Sequence, residues 1–332
     1  MSAFYAVMDI GTNSCRLLIA EIKEKVDIAH VRRLRVTRIG EGLGQGNLQI
    51  NRGAMDRTLE ALAEYRYVID QFPSPIEKIR LIGTQALREA GNSQVFVDEV
   101  KEKTGFSLEI IEGEQEAMLS YTGAVYGLAD PALAMPMVLD IGAGSTELIW
   151  EEAPEHANTS QNNLNETQLV SGKRHTEIKA VSVPIGSLRL LEKPMDRQGI
   201  YAVLCSGLEG LPSVDARQGA GADFNNREQI KNKALIAVAG TATTLGAIYL
   251  KLKEYDPDAL SALRMTKEQV ENMLDMLERM SSAERLVLPG MLPGREDVLP
   301  WGLKIMLEVM NYCQKDEVFI RDRDLLFGAL YV

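Results

Sequence analysis

The feature that most restricts how this chain folds is a segment it contains twice. An apolar run ending at Met8 leads into DIGTNSCRLLI from Asp9, and another ending at Leu139 leads into DIGAGSTELIW from Asp140. The copies start 131 residues apart and share Asp, Ile, Gly, Ser and Leu, five of eleven positions. Each reads as strand, glycine turn, strand. One such turn is an ordinary hairpin. Two copies, each opening one half of a 332-residue chain, imply two similar domains, each with its own core, facing each other across a cleft.

Turns of this kind suit phosphate. Glycine lets a ligand approach the backbone, and small neighbours leave main-chain N–H groups pointing outward as an anion nest. Gly11, Thr12, Asn13 and Ser14 form the first candidate phosphate loop, and Gly142, Ala143, Gly144 and Ser145 the second. A third segment, AVAGTATTLGA, follows an apolar strand and opens a helix, so Gly240 and Thr241 favour an anion there. A strand-to-helix turn needs glycine in any case, which is the plainer reading of that segment.

Phosphate brings a hard cation. Mg²⁺ keeps several waters while resting on one or two carboxylates. Asp9 and Asp140, at the strand ends, are candidate metal ligands; Mn²⁺ is the alternative ion. Glu147, on the outgoing strand, is a candidate for the ion's water shell or the attacking water, against its reading as a solvated strand residue. In IEGEQEAMLSYTGAVYG, Glu114 complements the positive start of a helix. Glu116, in the first turn, reads from spacing either as a solvated cap residue or as a carboxylate able to take a proton from water.

Composition narrows the classes. The three cysteines form no CxxC pair and the three histidines no ligand set, so zinc and redox sites gain no support. A net charge of −11 counts against nucleic-acid binding. It leaves room for a polyanion on a local basic patch, because more distant charges are screened. Arg32, Arg33, Arg35, Arg38, Arg88, Lys173, Arg174 and Arg189 are the candidates. No apolar run reaches the length of a membrane helix, and the first residues lack a basic n-region and cleavage site. The expectation is a cytoplasmic protein with no membrane partner.

Periodicity predicts strands over Phe4–Met8, Cys15–Ile22, Val31–Ile39, Ile79–Gly83, Leu108–Ile111, Val181–Pro184 and Glu317–Ile320. Helices are predicted over Arg52–Phe72, Val95–Thr104, Glu114–Tyr126, Thr266–Met280, Trp301–Tyr312 and Asp322–Tyr331. Residues 151–179 are polar and read as an exposed loop or a frayed hairpin inserted between strands, with chance sequons at Asn158 and Asn165.

Taken in order, DIGTNSCRLLI, GTQALREAGN, EGEQEAMLSYTGA, DIGAGSTELI, PIGSLRLLE, AVAGTATTLGA, REDVLPWGLKIMLEVM and RDRDLLFGAL resemble the exopolyphosphatase / guanosine-pentaphosphate phosphohydrolase family from about Ala6 to Leu330. The resemblance implies an α/β fold: two ribonuclease-H-like domains of the actin-like, sugar-kinase-like ATPase superfamily, with the active site in the interdomain cleft. One domain would hold residues 1–126 plus about 315–332, the other residues 127–314. The resemblance makes Glu116 the general base and associates Asp140 and Glu147 with Mg²⁺ and the attacking water. It matches Asp9, Thr12, Asn13 and Ser14 to the first phosphate loop and Arg88 to a phosphate-chain contact. Departures are Ala143 within the second glycine loop and Ala239 in the third segment, where glycines are usual. With no His-Asp pair, the chain is similar to a short member lacking the C-terminal helical domain. The function implied is hydrolysis of the terminal phosphoanhydride of polyphosphate, with guanosine pentaphosphate as alternative substrate, guanosine tetraphosphate as a further ligand and a homodimer as an allowed assembly. A kinase of the same fold and a non-catalytic alarmone-binding protein are the rivals.

Overall fold

Both glycine turns link the first two strands of a mixed sheet. The computed structural model describes residues 3–23, 26–43, 48–128, 130, 133, 135–152, 177–208 and 231–332. The first sheet contains β1 (Ala3–Ile10), β2 (Ser14–Lys23), β3 (Val26–Val36), β4 (Ile76–Gly83) and β5 (Leu108–Ile110), in the order β3-β2-β1-β4-β5. The second contains β6 (Met137–Ile141), β7 (Thr146–Glu152), β8 (Glu177–Val183), β9 (Leu235–Val238), β10 (Arg264–Thr266) and β11 (Glu317–Ile320), in the order β10-β11-β9-β6-β7-β8. Read from β8 to β11, the second sheet repeats the first: third, second, first, fourth and fifth strand, with β10 added antiparallel at the edge. The repeat therefore extends from eleven residues to a whole sheet. The molecule has the two ribonuclease-H-like domains of the actin-like, sugar-kinase-like fold.

The central strands explain their own position. Ala6–Ile10 and Met137–Leu139 are buried apolar runs, apart from the acid at Asp9. Each central strand pairs antiparallel with its hairpin partner and parallel with the fourth strand. Strands covered on both faces carry such continuous apolar runs. Each domain has its own core, one around Met8, Leu62, Tyr65 and Phe96, the other around Leu139, Leu204, Leu303 and Met306.

Two helices cross between the sheets: Gly113–Val125, which packs Ala117, Tyr121 and Ala124 against Val138, Ile149 and Ile236 of the second sheet, and Leu325–Gly328, which packs with Val7, Leu18 and Ile82 of the first. Glycines make the crossing possible: a Cβ at Gly123 would lie 2.0 Å from the Asp324 carbonyl oxygen, and one at Gly328 1.9 Å from that of Leu119. This close contact sets Glu116, which lines the cleft, and Asp324, which pairs with Arg16, on neighbouring helix starts.

Three boundaries differ from the sequence reading. β3 ends at Val36 because the next amides, Thr37 and Arg38, turn to donate to the Asn13 carbonyl. The last helix covers only Leu325–Gly328; Asp324 caps it through the Leu326 amide at 3.1 Å. β11 pairs with β9 in the second sheet, and the residues after it, from Leu325, pack with Val7, Leu18 and Ile82 of the first. Most of the polar insert and both sequons lie outside the described residues. No helix among the described residues is long and apolar enough to cross a membrane.

Candidate active site

The two turns are built alike. Gly11 N–H donates to Ser14 O at 3.0 Å, and Gly142 N–H to Ser145 O at 2.9 Å. Their carbonyls are used inside their own domains. Thr12 O accepts from Gly40 N–H, Gly142 O from Ser187 N–H, and Ala143 O from Leu188 N–H. The amides of Thr12, Asn13, Ala143 and Gly144 take no part in these bonds, which leaves them for an anion. Ala143 keeps out of the left-handed region, so its Cβ costs the nest nothing. Ala239, the other departure from glycine, does adopt φ +60°, a left-handed conformation costing about 1 kcal/mol for a residue with a Cβ.

One cleft cavity of about 90 Å³ is lined by both turns, by Asp9, Glu116, Asp140 and Glu147, and by Gly240 and Thr241. The candidate catalytic, metal-binding and phosphate-loop residues all reach this cavity except Arg88, whose Nη1 donates to Glu116 Oε2 at 2.7 Å and to Ile111 O at 2.8 Å. Thr241 spends its hydroxyl on Ile141 O at 3.2 Å.

The electrostatics are those of a site short of positive charge. Burial, then repulsion from Asp324 and Glu116, pushes Asp140 up to about 7. Burial, then Glu116 and Asp140, pushes Glu147 up to about 8. Burial also raises Asp9 and Glu116, against the opposing pull of Arg16 and Arg88 respectively. Ser120, one helical turn after Glu116, donates to Asp140 Oδ2 at 3.0 Å, and Ser182 donates to Glu147 Oε1 at 2.7 Å. Asp9 Oδ1 and both polar atoms of Asn13 are buried without a partner. An all-oxygen donor set with orphaned acceptors fits a hard cation. Among the described residues no group of three or more His, Cys, Asp or Glu side chains is placed to hold a metal ion by itself.

Sequence reasoning missed two cations. Arg16 holds Asp9 Oδ2 through Nη2 at 2.6 Å and also pairs with Asp324. The signal was present, because Arg16 occupies the place in the first repeat that Glu147 occupies in the second. Arg295 lines the same cavity, and its Nε is buried without a partner. Burial lowers its guanidinium to about 10. It lies flat against Gly240, where a Cβ would stand 1.8 Å from Nη1; no pattern in the sequence marks that contact. Several arginines considered for a basic patch are spent on acids instead: Arg32 on Asp322, Arg35 on Glu64, Arg38 on Asp297 and Arg189 on Glu89. Lys173 and Arg174 lie outside the described residues.

Past Arg16, Gly240 and Arg295 a second cavity of about 260 Å³ opens, with Leu18, Leu34, Leu292 and Phe327 among its walls and Tyr255 and Asp322 at its polar side.

The sequence model of the Ppx/GppA phosphatase family matches residues 18–161 and 166–331. The chain is 28% identical to a bifunctional 3-dehydroquinate synthase/phosphatase of Fusobacterium nucleatum, over 98% of this chain and 46% of that protein. It is 27% identical to exopolyphosphatase 2 of Mycobacterium tuberculosis, over 97% and 96%. It is 32% identical to a guanosine-5'-triphosphate,3'-diphosphate pyrophosphatase of Aliivibrio fischeri, over 100% and 59%. The chain thus spans about half the length of the first of these and nearly all of the second. The structure of the Aquifex aeolicus PPX-GPPA enzyme superposes with a TM-score of 0.70 at 25% identity, over 99% of both chains.

Proposed function

Because this chain belongs to the Ppx/GppA phosphatase family, we propose that it hydrolyses the terminal phosphoanhydride of inorganic polyphosphate and releases orthophosphate. The observation that carries this reading is the cleft shared by two phosphate turns, a half-buried carboxylate on a helix start and a pair of neighbouring acids.

The terminal phosphate sits between the two turns, whose amides bind its oxygens and hold it in line with the attacking water. Glu116 orients that water and takes its proton. Ser120 fixes one oxygen of Asp140, and Ser182 and Ser145 hold the Glu147 carboxylate, so that Asp140 and Glu147 would hold Mg²⁺ or Mn²⁺ directly or through its waters. When bound, such an ion neutralises charge on the transferring and leaving phosphate oxygens. Arg295 supplies a cation to the chain beyond the terminal phosphate. A net charge of −11 fits this cleft-held anion better than a nucleic acid, and the cytoplasm is the compartment we assign.

The second cavity favours a second substrate. Its apolar and aromatic walls adjoin the cleft, an arrangement that suits a nucleoside attached to phosphates, as in guanosine pentaphosphate. Phosphate release from medium-length polyphosphate and from guanosine pentaphosphate, side by side with Mg²⁺, tests both. Release from polyphosphate supports the reading, and release from neither rejects it. A dependence on ADP as acceptor would move the chain to the kinases.

A further inference from the structure

We propose that Arg88 is a positioning residue that acts through Glu116, and not a ligand of the phosphate chain. The inference rests on the hydrolase reading above and assigns a further part of its machinery.

Arg88 lies in the last turn of the short helix Gln85–Glu89, next to the cleft. Its neighbour Gln85 lines the cavity, whereas Arg88 does not. Its Nη1 is shared between Ile111 O and Glu116 Oε2. Ile111 is a buried residue just after β5, so its carbonyl fixes the guanidinium whether or not Glu116 is in place. Both side chains of the ion pair are largely buried, with 20% and 18% of their surface exposed.

Local electrostatics sharpen the assignment. A Cβ at Gly113, the first residue of the Glu116 helix, would lie 3.9 Å from Arg88 Nη2. A cation beside a helix N-terminus meets the positive end of the helix dipole. The helix therefore repels Arg88 and the Glu116 carboxylate attracts it. Holding Oε2 fixes the carboxylate plane and leaves Oε1 for the water in the cleft. A base held in one orientation keeps its effect in the transition state, and loosening it lowers kcat without weakening ground-state binding. A phosphate ligand does the reverse, since its loss raises KM.

The test is steady-state phosphate release from medium-length polyphosphate with Mg²⁺, measured for wild type, Arg88→Gln, Arg88→Lys, Glu116→Gln and the double variant Arg88→Gln/Glu116→Gln. Arg88→Gln should lower kcat by about 10- to 100-fold and leave KM within about threefold. Arg88→Lys, which keeps the charge but not the fork, should recover part of that loss. The double variant should be no slower than Glu116→Gln, within about threefold, because nothing remains for Arg88 to position. A tenfold rise in KM at near-normal kcat overturns the inference, as does a double variant slowed by the product of both single effects. Should Arg88→Gln fail to fold, Arg88→Lys alone and on the Glu116→Gln background decides the same question. If wild type releases no phosphate from polyphosphate or guanosine pentaphosphate, the hydrolase reading fails and takes this inference with it. An active wild type whose Arg88 variants raise KM overturns the inference alone.

Discussion

Arg16 stands opposite Asp9 across the first hairpin at the register position where Glu147 stands opposite Asp140 across the second. Cross-strand partners lie on one face of the sheet. The two half-sites thus share a backbone and differ in charge. In the first, a guanidinium neutralises the acid at 2.6 Å. In the second, Glu147 rather than a cation faces the acid, and burial with neighbouring carboxylates raises both groups, Asp324 and Glu116 acting on Asp140, Glu116 and Asp140 on Glu147. The demand for a cation lies in the second hairpin. Asp140→Asn should therefore raise the Mg²⁺ concentration for half-maximal rate by about tenfold or more, and Asp9→Asn by less. EDTA should abolish turnover and Mg²⁺ restore it. Equal shifts in the two variants, or full activity in EDTA, would contradict this asymmetry.

Glu116→Gln keeps the shape of the side chain and removes its ability to accept a proton. The rate should fall by about 10²- to 10⁴-fold with the fold intact. Circular dichroism and phosphate release measured together check this. A loss below threefold would move the base to another carboxylate.

The metal-free protein should carry a pH signature at Glu147. Its carboxyl is pushed from an ordinary 4.5 up to about 8 in the folded chain. Between those values the folded protein holds a proton that the unfolded chain has lost, so stability falls as pH rises through that window and levels off above it. Glu147→Gln removes the group. In EDTA its advantage in Tm over wild type should be absent below about pH 4, grow up to about pH 8 and then stay constant. Asp140, raised to about 7, adds a dependence of the same sign. Denaturation scans across pH decide the matter, and a wild type that gains on the variant as pH rises would refute it.

Arg295 is a buried cation without a carboxylate partner among the described residues, an arrangement that costs stability until an anion arrives. Arg295→Met should raise KM for polyphosphate by about tenfold or more while leaving the Tm of the substrate-free protein equal or higher. A large fall in Tm with an unchanged KM would make Arg295 structural.

What the sequence made legible follows the physics of the repeat. Two Asp-Ile-Gly turns were enough to expect two facing domains, because strand, turn and strand are local properties. Asp140 stands out because an acid at the mouth of a glycine turn is not needed by a hairpin. Glu147 and Glu116 keep the ordinary readings of a solvated strand residue and a helix cap, and it is the family resemblance that singles out Glu116 as a base. Arg16 was visible in the aligned repeat and passed over, since an arginine on a strand reads as solvated. Arg295 was not legible: its contact with Gly240 joins positions 55 residues apart, and no local pattern encodes it. The paired arginines show the same limit. Whether Arg38 faces a polyanion or Asp297 depends on a chain segment 259 residues away.

The central claim is removal of phosphate from the end of a chain, and product analysis tests it most directly. Polyphosphate of defined medium length should be incubated with the protein and Mg²⁺, then resolved on a gel while free orthophosphate is measured. The account predicts orthophosphate as the small product, with a ladder of chains shortened one unit at a time and no ladder for Glu116→Gln. Internal fragments appearing before orthophosphate, or no orthophosphate at all, would contradict it.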